Sequence, residues 1–335
     1  MKRQRFILVL TLLMGLMGTR GYAHDIEVAN SDGVTIYYNW TNNNTELQVT
    51  YRGDTYTSFS EYSGVVVIPA TVTYNNSPYP VTSIGQSAFS DCSDLTSVTI
   101  PKSVTSIGWY VFDGCSSLTS ISVESGNTVY DSRDNCNAII KTAPNNLIQG
   151  CKNTIIPNSV TRINSYAFDH CSGLTSINIP NTVTSIGQRA FSYCPDLTSV
   201  IIPNSVTSIE SGAFEGCSGL ITVEIGNSVT SIGSNAFCDC ISLTSVTIGN
   251  SLISIDNYAF RNCSSLISVT VNAETPPSLG VTYNPFEASN YQNATLYVPA
   301  GCKAAYQTAK IWKDFSAFLE IPVSIVTTQH PLWRE

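Results

Sequence analysis

The sequence predicts a repeat solenoid, mainly β with short helical turns, in which coils of 23 residues stack on one another. Two observations predict this fold. A phenylalanine recurs every 23 residues along most of the chain, and a cysteine and then a leucine follow each phenylalanine at steps of three residues. A fixed period in this range is typical of solenoids, because one coil cannot bury its apolar face alone whereas stacked coils can.

The repeat covers seven coils. The phenylalanines are Phe89, Phe112, Phe168, Phe191, Phe214, Phe237 and Phe260, and the cysteines are Cys92, Cys115, Cys171, Cys194, Cys217, Cys240 and Cys263. One interval, from Phe112 to Phe168, is 56 residues, which is one period plus a 33-residue insertion. We predict that both columns form a structural core ladder, with the cysteines as free, buried, small apolar side chains, because a position that every coil requires serves the coil.

Each coil divides into three elements, as residues 95–115 illustrate. "LTSVTI" (95–100) alternates β-branched side chains and predicts a strand, which Pro101 ends because proline cannot donate to a sheet. "VTSI" (104–107) predicts a second, shorter extended segment, and Gly108 allows the next turn. The remaining residues, 109–115, predict a short helical or 3₁₀ turn that places phenylalanine and cysteine on one face.

The string "LTSVTIPKSVTSIGWYVFDGCSSLTSI" resembles the repeats of BspA-like leucine-rich-repeat proteins of bacterial surfaces, whose unit has this Leu-Ile-Pro-Val-Ile-Gly-Ala-Phe-Cys order. The similarity covers roughly residues 81–271, and the insertion and "LYVPAGCKAAYQTAKIWKDF" also resemble family members. The resemblance implies a leucine-rich-repeat solenoid in an exported, surface-associated adhesion or interaction protein. It implies no catalytic residues.

The ends of the chain predict export and capping. Residues 1–23 have the basic start, apolar segment and small residues of a secretory signal peptide. We predict an N-terminal β cap at 24–80, the solenoid at 81–271 with a hairpin insertion at about 124–154, a C-terminal cap at 272–321 with a helix at about 302–310, and a tail at 322–335. The mature chain has no membrane-span candidate, so we expect it at the cell surface or secreted, with the periplasm left open.

The insertion contains a candidate disulfide. If Ala143-Pro144 is the centre of the hairpin turn, Ile140 opposes Leu147 and Cys136 opposes Cys151. Directly opposed residues on antiparallel strands have Cα separations of about 4.5–5.5 Å, which a disulfide accepts. We therefore predict a Cys136–Cys151 disulfide. The prediction depends on register, because a slip of one residue would put the two side chains on opposite faces.

Charge and residue types exclude several functions. Without residues 1–23 the chain has 12 basic against 24 acidic residues, a formal net charge of −12, and phosphate recognition depends on Lys and Arg, so no nucleic-acid partner is expected. The histidines of the mature chain, His24, His170 and His330, are scattered, and no coil has paired carboxylates. We expect no enzyme, metal or cofactor. His170 is interpreted as a solvated side chain and the out-of-register Cys238 as a surface cysteine.

The helical-turn edge is the preferred binding surface. Its candidate residues are Trp109, Tyr110, Tyr166, Arg189, Tyr193, Tyr258 and Arg261. These residue types are enriched at interface hot spots. The alternative, aromatics folded down between neighbouring coils, stays open, and the hydroxyl-rich outer face of the long strands ranks second.

Taken with the resemblance, this edge predicts a non-catalytic adhesion or protein-interaction scaffold that binds host matrix or cell-surface proteins. A carbohydrate-binding protein that uses the exposed aromatics as sugar platforms is the alternative hypothesis, which competition by soluble glycans distinguishes.

Overall fold

A computed structural model describes residues 24–53, 61–278 and 283–322. The predicted signal peptide and nearly all of the predicted tail lie outside the described residues. The strands are β1 (Ile26–Ala29), β2 (Thr35–Thr41), β3 (Glu46–Thr50), β4 (Gly64–Val67), β5 (Thr71–Tyr74), β6 (Ser77–Ile84), β7 (Leu95–Ile100), β8 (Ser106–Ile107), β9 (Ser120–Val123), β10 (Tyr130–Asp131), β11 (Ile139–Lys141), β12 (Asn146–Gln149), β13 (Arg162–Ile163), β14 (Ser185–Ile186), β15 (Ser199–Ile202), β16 (Ser208–Ile209), β17 (Thr222–Ile225), β18 (Ser231–Ile232), β19 (Ser245–Ile248), β20 (Ser254–Ile255), β21 (Ser268–Val271), β22 (Thr295–Pro299) and β23 (Ala317–Ile321). The helices are α1 (Ala288–Asn293), α2 (Lys303–Thr308) and two 3₁₀ turns, Arg133–Asn135 and Trp312–Asp314.

The coils form two parallel ladders, which confirms the predicted β solenoid. The long strands pair in the orders β4-β7-β9 and β15-β17-β19-β21-β22-β23. The short strands pair as β3-β6-β8 and, beyond the insertion, as β12-β13-β14-β16-β18-β20. Partners within the repeats are one period apart, as for Val200 with Val223 and Ile209 with Ile232. Equivalent residues of successive coils therefore lie in columns along the solenoid.

The phenylalanine column is the centre of the core. Phe168, Phe191, Phe214, Phe237 and Phe260 are fully buried. Their rings stack nearly parallel, with centroids 4.8–5.2 Å apart and interplanar angles of 1–7°. The column holds because β ladders space the coils about 4.8 Å apart, close to the stacking distance of aromatic rings.

The predicted helical turn is a run of tight turns instead. Around Phe168, alternate backbone N–H groups bond within the coil and to the next coil: Cys171 N donates to Phe168 O (3.1 Å), whereas Phe168 N donates to Ala190 O (2.7 Å). In each of the seven coils the residues two before and two after the phenylalanine have positive φ. A right-handed helix cannot include these left-handed residues, so the segment forms turns linked along the solenoid axis.

The insertion divides the core into two clusters. Its strands β10, β11 and β12 join the short-strand ladder through β13, while β8, among the described strands, pairs with β6 alone. The phenylalanine stack is interrupted here because Gly150 lies against the Phe168 ring, where a Cβ would overlap ring atoms. One cluster extends from the N-terminal strands to Cys151, and the other from Cys136 to Phe315.

The predicted Cys136–Cys151 disulfide is absent, since both cysteines are free and buried. The register holds at Ile140 and Leu147 but shifts between Ile139 and Ile140, so that Ile139 pairs with Gln149. Beyond this bulge the Cys151 thiol donates to Asn137 O (3.3 Å), and the two sulfurs lie in different core clusters. The one-residue slip that endangered the prediction is therefore present.

The caps contribute strands to the ladders. β3 and β4 already pair in parallel with β6 and β7, so stacking begins inside the predicted N-terminal cap. At the other end β22 and β23 extend the long-strand ladder, and α2 lies within the predicted helix. Trp312 is fully buried there and donates from Nε1 to Pro277 O (2.9 Å). The core is thus covered at its C-terminal end.

Candidate functional site

The turns around the phenylalanine column form the edge of the solenoid that carries the predicted binding residues. We call this set the aromatic edge: Trp109, Tyr110, Tyr166, Arg189, Tyr193, Tyr258 and Arg261. Five members have left-handed backbone with φ between 52° and 63°: Tyr110, Tyr166, Arg189, Tyr193 and Tyr258. The equivalent positions of other coils hold Gly114, Gly212, Gly216, Asn235 and Asn262, which are also left-handed.

Bulky side chains at these positions are not required by the fold. A non-glycine residue in left-handed backbone costs roughly 1–2 kcal/mol, and glycine and asparagine adopt this conformation most readily. Because the chain itself uses glycine and asparagine at equivalent positions, the backbone does not explain the tyrosines. Their presence needs a contact made by the side chain.

Three aromatics meet across the break that the insertion makes in the solenoid. The Tyr166 ring centroid lies 4.6 Å from that of Tyr110 and 5.8 Å from that of Trp109. Together they line a cleft with a volume of about 450 Å³. The other side chains that line it include Tyr130, Lys141, Asn146, Gln149, Arg162 and Asn164. The cleft exists because β8 and the insertion do not continue the short-strand ladder there.

Tyr193 and Arg189 lie one coil further along. A Cβ at Gly216 would lie 2.5 Å from the Tyr193 ring, so this ring lies over the next coil, yet 41% of the residue is exposed. Arg189 covers Gly212 in the same way and pairs with Glu215 at 3.3 Å. The two alternatives left open by the sequence therefore coexist, since these side chains pack on a neighbouring coil and still present a face to solvent.

Tyr258 and Arg261 form a separate patch near the C-terminal end. The Tyr258 ring stacks on Tyr283 with centroids 5.1 Å apart, and the Arg261 guanidinium carbon lies 5.1 Å from the Tyr258 centroid. Two coils with small or short polar residues on this edge, such as Gly212 and Asn235, separate this patch from Tyr193. The seven predicted residues thus form two patches rather than one continuous surface.

His170 is not a free solvated side chain, contrary to the sequence interpretation. Its Nδ1 lies 2.9 Å from Asp113 Oδ1 and 3.4 Å from Asp169 Oδ1, and its ring stacks on Tyr193 at 4.7 Å. The contacts with Asp113 and then Asp169 raise the pKa of His170 to about 10, although partial burial opposes this shift. The sequence signal was that Asp113 and Asp169 each directly follow a column phenylalanine, on the two sides of the insertion.

The cysteine column has a hydrogen-bonding role that the repeat pattern does not reveal. The Cys194, Cys217, Cys240 and Cys263 thiols each donate to the carbonyl of the phenylalanine 26 residues earlier, at 3.1–3.2 Å. Six of the seven column cysteines are buried and Cys171 is half-buried. Cys238 is buried as well, not on the surface as predicted, and its thiol lies 3.5 Å from Asp239 Oδ2.

Comparison with known families identifies the repeat. The model described as "BspA type Leucine rich repeat region" matches in six copies over residues 70–141 and 141–267. The chain belongs to the BspA-type leucine-rich-repeat family. This match confirms the resemblance, and the family supports a protein-interaction scaffold. BspA-type repeat solenoids are typically non-catalytic, and the family is consistent with an extracellular or surface protein.

Solved structures of bacterial leucine-rich-repeat proteins are similar to this BspA-type chain. The pneumococcal vaccine antigen PcpA is 15% identical with a TM-score of 0.53, over 90% of this chain and 100% of that one, which shows a shared fold. The Treponema pallidum leucine-rich-repeat protein TpLRR is 26% identical over 69% of this chain and 87% of its own, with a TM-score of 0.39. A leucine-rich cell surface protein from Faecalibacterium prausnitzii is 22% identical over 89% and 96%, with a TM-score of 0.41. No curated protein matches the chain.

Membrane insertion was tested on the described part of the chain. Across residues 24–53, 61–278 and 283–322, no helix is both long enough and apolar enough to span a bilayer.

Proposed function

We propose that this BspA-type protein is an exported, non-catalytic adhesion protein that binds host matrix or cell-surface proteins through the aromatic edge. The observation that supports the proposal is the set of tyrosines in left-handed backbone, at positions where other coils have glycine or asparagine. Residues that raise the conformational energy of a fold without a backbone need are concentrated at functional sites.

The geometry suits reversible association over an extended surface. Trp109 is 62% and Tyr193 41% exposed, while the stacked coils beneath them fix their positions. Large aromatic side chains on a rigid support bind at a low entropic cost and dominate the energy of interfaces. The outer face of the long strands is the weaker candidate, because its exposed apolar side chains, such as Ile221 and Ile267, lie in alternate coils with Thr244 between them.

Replacements taken from the chain's own coils provide the test. Tyr166→Asn and Tyr258→Asn introduce the residue found at Asn235, and Tyr193→Gly the residue found at Gly216. We expect the triple variant to keep the circular dichroism spectrum and melting temperature of the wild type. Its binding to immobilised matrix proteins or host cells should weaken at least about tenfold, because interface aromatics are often worth 2 kcal/mol or more.

The matched control is Ile221→Thr with Ile267→Thr, which gives the outer face of the long strands the residue of Thr244. This double variant should bind as the wild type does. Unchanged binding by the tyrosine variant, with loss in the isoleucine variant, would place the site on the long-strand face and refute the proposal.

Carbohydrate binding is the second candidate function, and the cleft beside Tyr166 favours it. Aromatic rings of Trp109 and Tyr110 next to the amides of Asn146, Gln149 and Asn164 provide both stacking surfaces and hydrogen-bond partners for a sugar ring. The measurement is adhesion in the presence of soluble glycans. Inhibition by a mono- or oligosaccharide that Trp109→Ala abolishes would favour a lectin, whereas adhesion unaffected by every glycan would favour protein recognition.

A further inference from the structure

Three side chains with metal-binding atoms converge at the break in the solenoid. Asp113 and Asp169 each follow a column phenylalanine, and His170 is the next residue. Their donor atoms, one from each side chain, all lie within 4.8 Å of one another. The 33-residue insertion between the two coils makes this juxtaposition invisible in the sequence spacing.

The protein alone leaves these donors incompletely satisfied. The Asp169 side chain is 93% buried, at 7% exposure, and within the described ranges its Oδ1 has no hydrogen-bond partner; the same is true of Asp113 Oδ1. The single Nδ1 of His170 faces both oxygens and can carry only one hydrogen. A buried carboxylate oxygen without a hydrogen bond is costly, so a group that satisfies both oxygens at once is missing.

The donor spacing fits one small cation. Nδ1 lies 2.9 Å from one carboxylate oxygen and 3.4 Å from the other. Bonds of about 2.1 Å from nitrogen and oxygen to one metal ion separate neighbouring donors by about 3.0 Å at octahedral angles and about 3.4 Å at tetrahedral angles.

We infer that Asp113, Asp169 and His170 form a binding site for one divalent transition-metal ion. An imidazole with two carboxylates suits Mn²⁺, Fe²⁺, Co²⁺ or Zn²⁺, whereas Ca²⁺ and Mg²⁺ prefer oxygen ligands alone. Two carboxylates neutralise the charge of the ion, and three protein ligands leave coordination positions open. Because His170 is 47% exposed at its side chain, these positions lie at the surface, beside Tyr193.

The test titrates the purified full chain with MnCl₂ and follows free Mn²⁺ by electron paramagnetic resonance. Manganese is the first probe because the free thiols of the chain prefer softer metals such as Zn²⁺. We expect one saturable Mn²⁺ per chain and a higher melting temperature with the metal. MgCl₂ at the same concentration should compete weakly and leave the melting temperature unchanged.

Two variants taken from other coils assign the ligands. His170→Asn introduces the residue of Asn262, which has the same left-handed backbone with φ 58°, and Asp169→Ser introduces the residue of Ser192. Each should weaken Mn²⁺ binding by at least about tenfold, as the loss of a supporting ligand group does. Glu215→Gln, at the equivalent position without an adjacent histidine, should bind Mn²⁺ as the wild type does.

The inference is wrong if the wild-type chain shows no saturable Mn²⁺ binding. It is also wrong if His170→Asn and Asp169→Ser, with wild-type circular dichroism spectra, retain the full affinity. A variant that loses both its circular dichroism spectrum and its binding leaves the decision to the wild-type titration, which needs no substitution.

Discussion

Phe191→Ala tests whether the phenylalanine column holds the solenoid together. Phe191 is fully buried, and its ring stacks between those of Phe168 at 4.8 Å and Phe214 at 5.1 Å. Alanine leaves a cavity between two rings whose positions are fixed by the ladders above and below. The cavity therefore cannot close by a small movement of one neighbour.

The expected cost lies at the upper end of the range for core substitutions. Replacing a buried phenylalanine by alanine costs about 3–5 kcal/mol, and each lost ring pair contributes about 0.5–1.5 kcal/mol beyond burial. We expect about 4–5 kcal/mol. The core cluster that contains Phe191 spans Cys136 to Phe315, and for a unit of that size 1 kcal/mol shifts the melting temperature by about 2–4 °C. The melting temperature should fall by about 10–15 °C.

Thermal unfolding followed by circular dichroism measures this effect, and two variants serve as comparisons. Phe112→Ala ends a stack and loses only the ring of Phe89, so it should cost less, about 3 kcal/mol. Trp109→Ala, at an exposed position, should cost at most about 1 kcal/mol. Equal losses for Phe191 and Trp109 would show that the faces of the turn are assigned wrongly.

Two further predictions concern the thiols and Gly150. Burial raises the pKa of every itemised cysteine, to about 12 for Cys171 and above that for the fully buried members of the column, so little reactive thiolate forms near neutral pH. Half-exposed Cys302 should therefore react first with a thiol reagent, and all 11 thiols should react after denaturation without reductant; if Cys136 and Cys151 require reductant, the slipped register is wrong. Gly150→Ala should destabilise the chain by about 1–3 kcal/mol in chemical denaturation, because its Cβ overlaps the Phe168 ring, and an unchanged midpoint would mean that the two cores do not meet there as described.

The period predicted the fold well because it acts at every level of the structure. Residues one repeat apart are ladder partners, so a column of identical residues specifies the register of both ladders. The asparagine column shows the same effect, since Asn227 N donates to Asn204 Oδ1 (2.7 Å) and Asn250 N to Asn227 Oδ1 (3.3 Å). Side-chain hydrogen bonds of this kind were expected from spacing alone.

The insertion could not be predicted in the same way. Both Ile139 and Ile140 are fully buried, Ile139 in the N-terminal cluster and Ile140 in the C-terminal one. A strand with a core on each face has no alternation of apolar and polar residues, and alternation is the signal that fixes register. The bulge at this point, and with it the failure of the Cys136–Cys151 pairing, therefore has no sequence signature.

Column comparison also has a specific blind spot. It identified Tyr110, Tyr166 and Tyr193 because these residues differ from glycine and asparagine at equivalent positions. It dismissed His170 for the same kind of variation, since a column describes what a residue replaces and not what it contacts across the insertion. Contact partners 57 residues apart, such as Asp113 and His170, obey no period.

The insertion gives the otherwise uniform solenoid its local chemistry. A regular repeat places each side chain beside its own equivalent, which favours columns of like residues and excludes most mixed clusters. By interrupting the ladder after β8, the insertion lets Tyr110 meet Tyr166 and lets Asp113 meet His170, although these pairs are not one period apart. The cleft and the cluster of metal-binding side chains both occur at this interruption, because residues of different columns come together there.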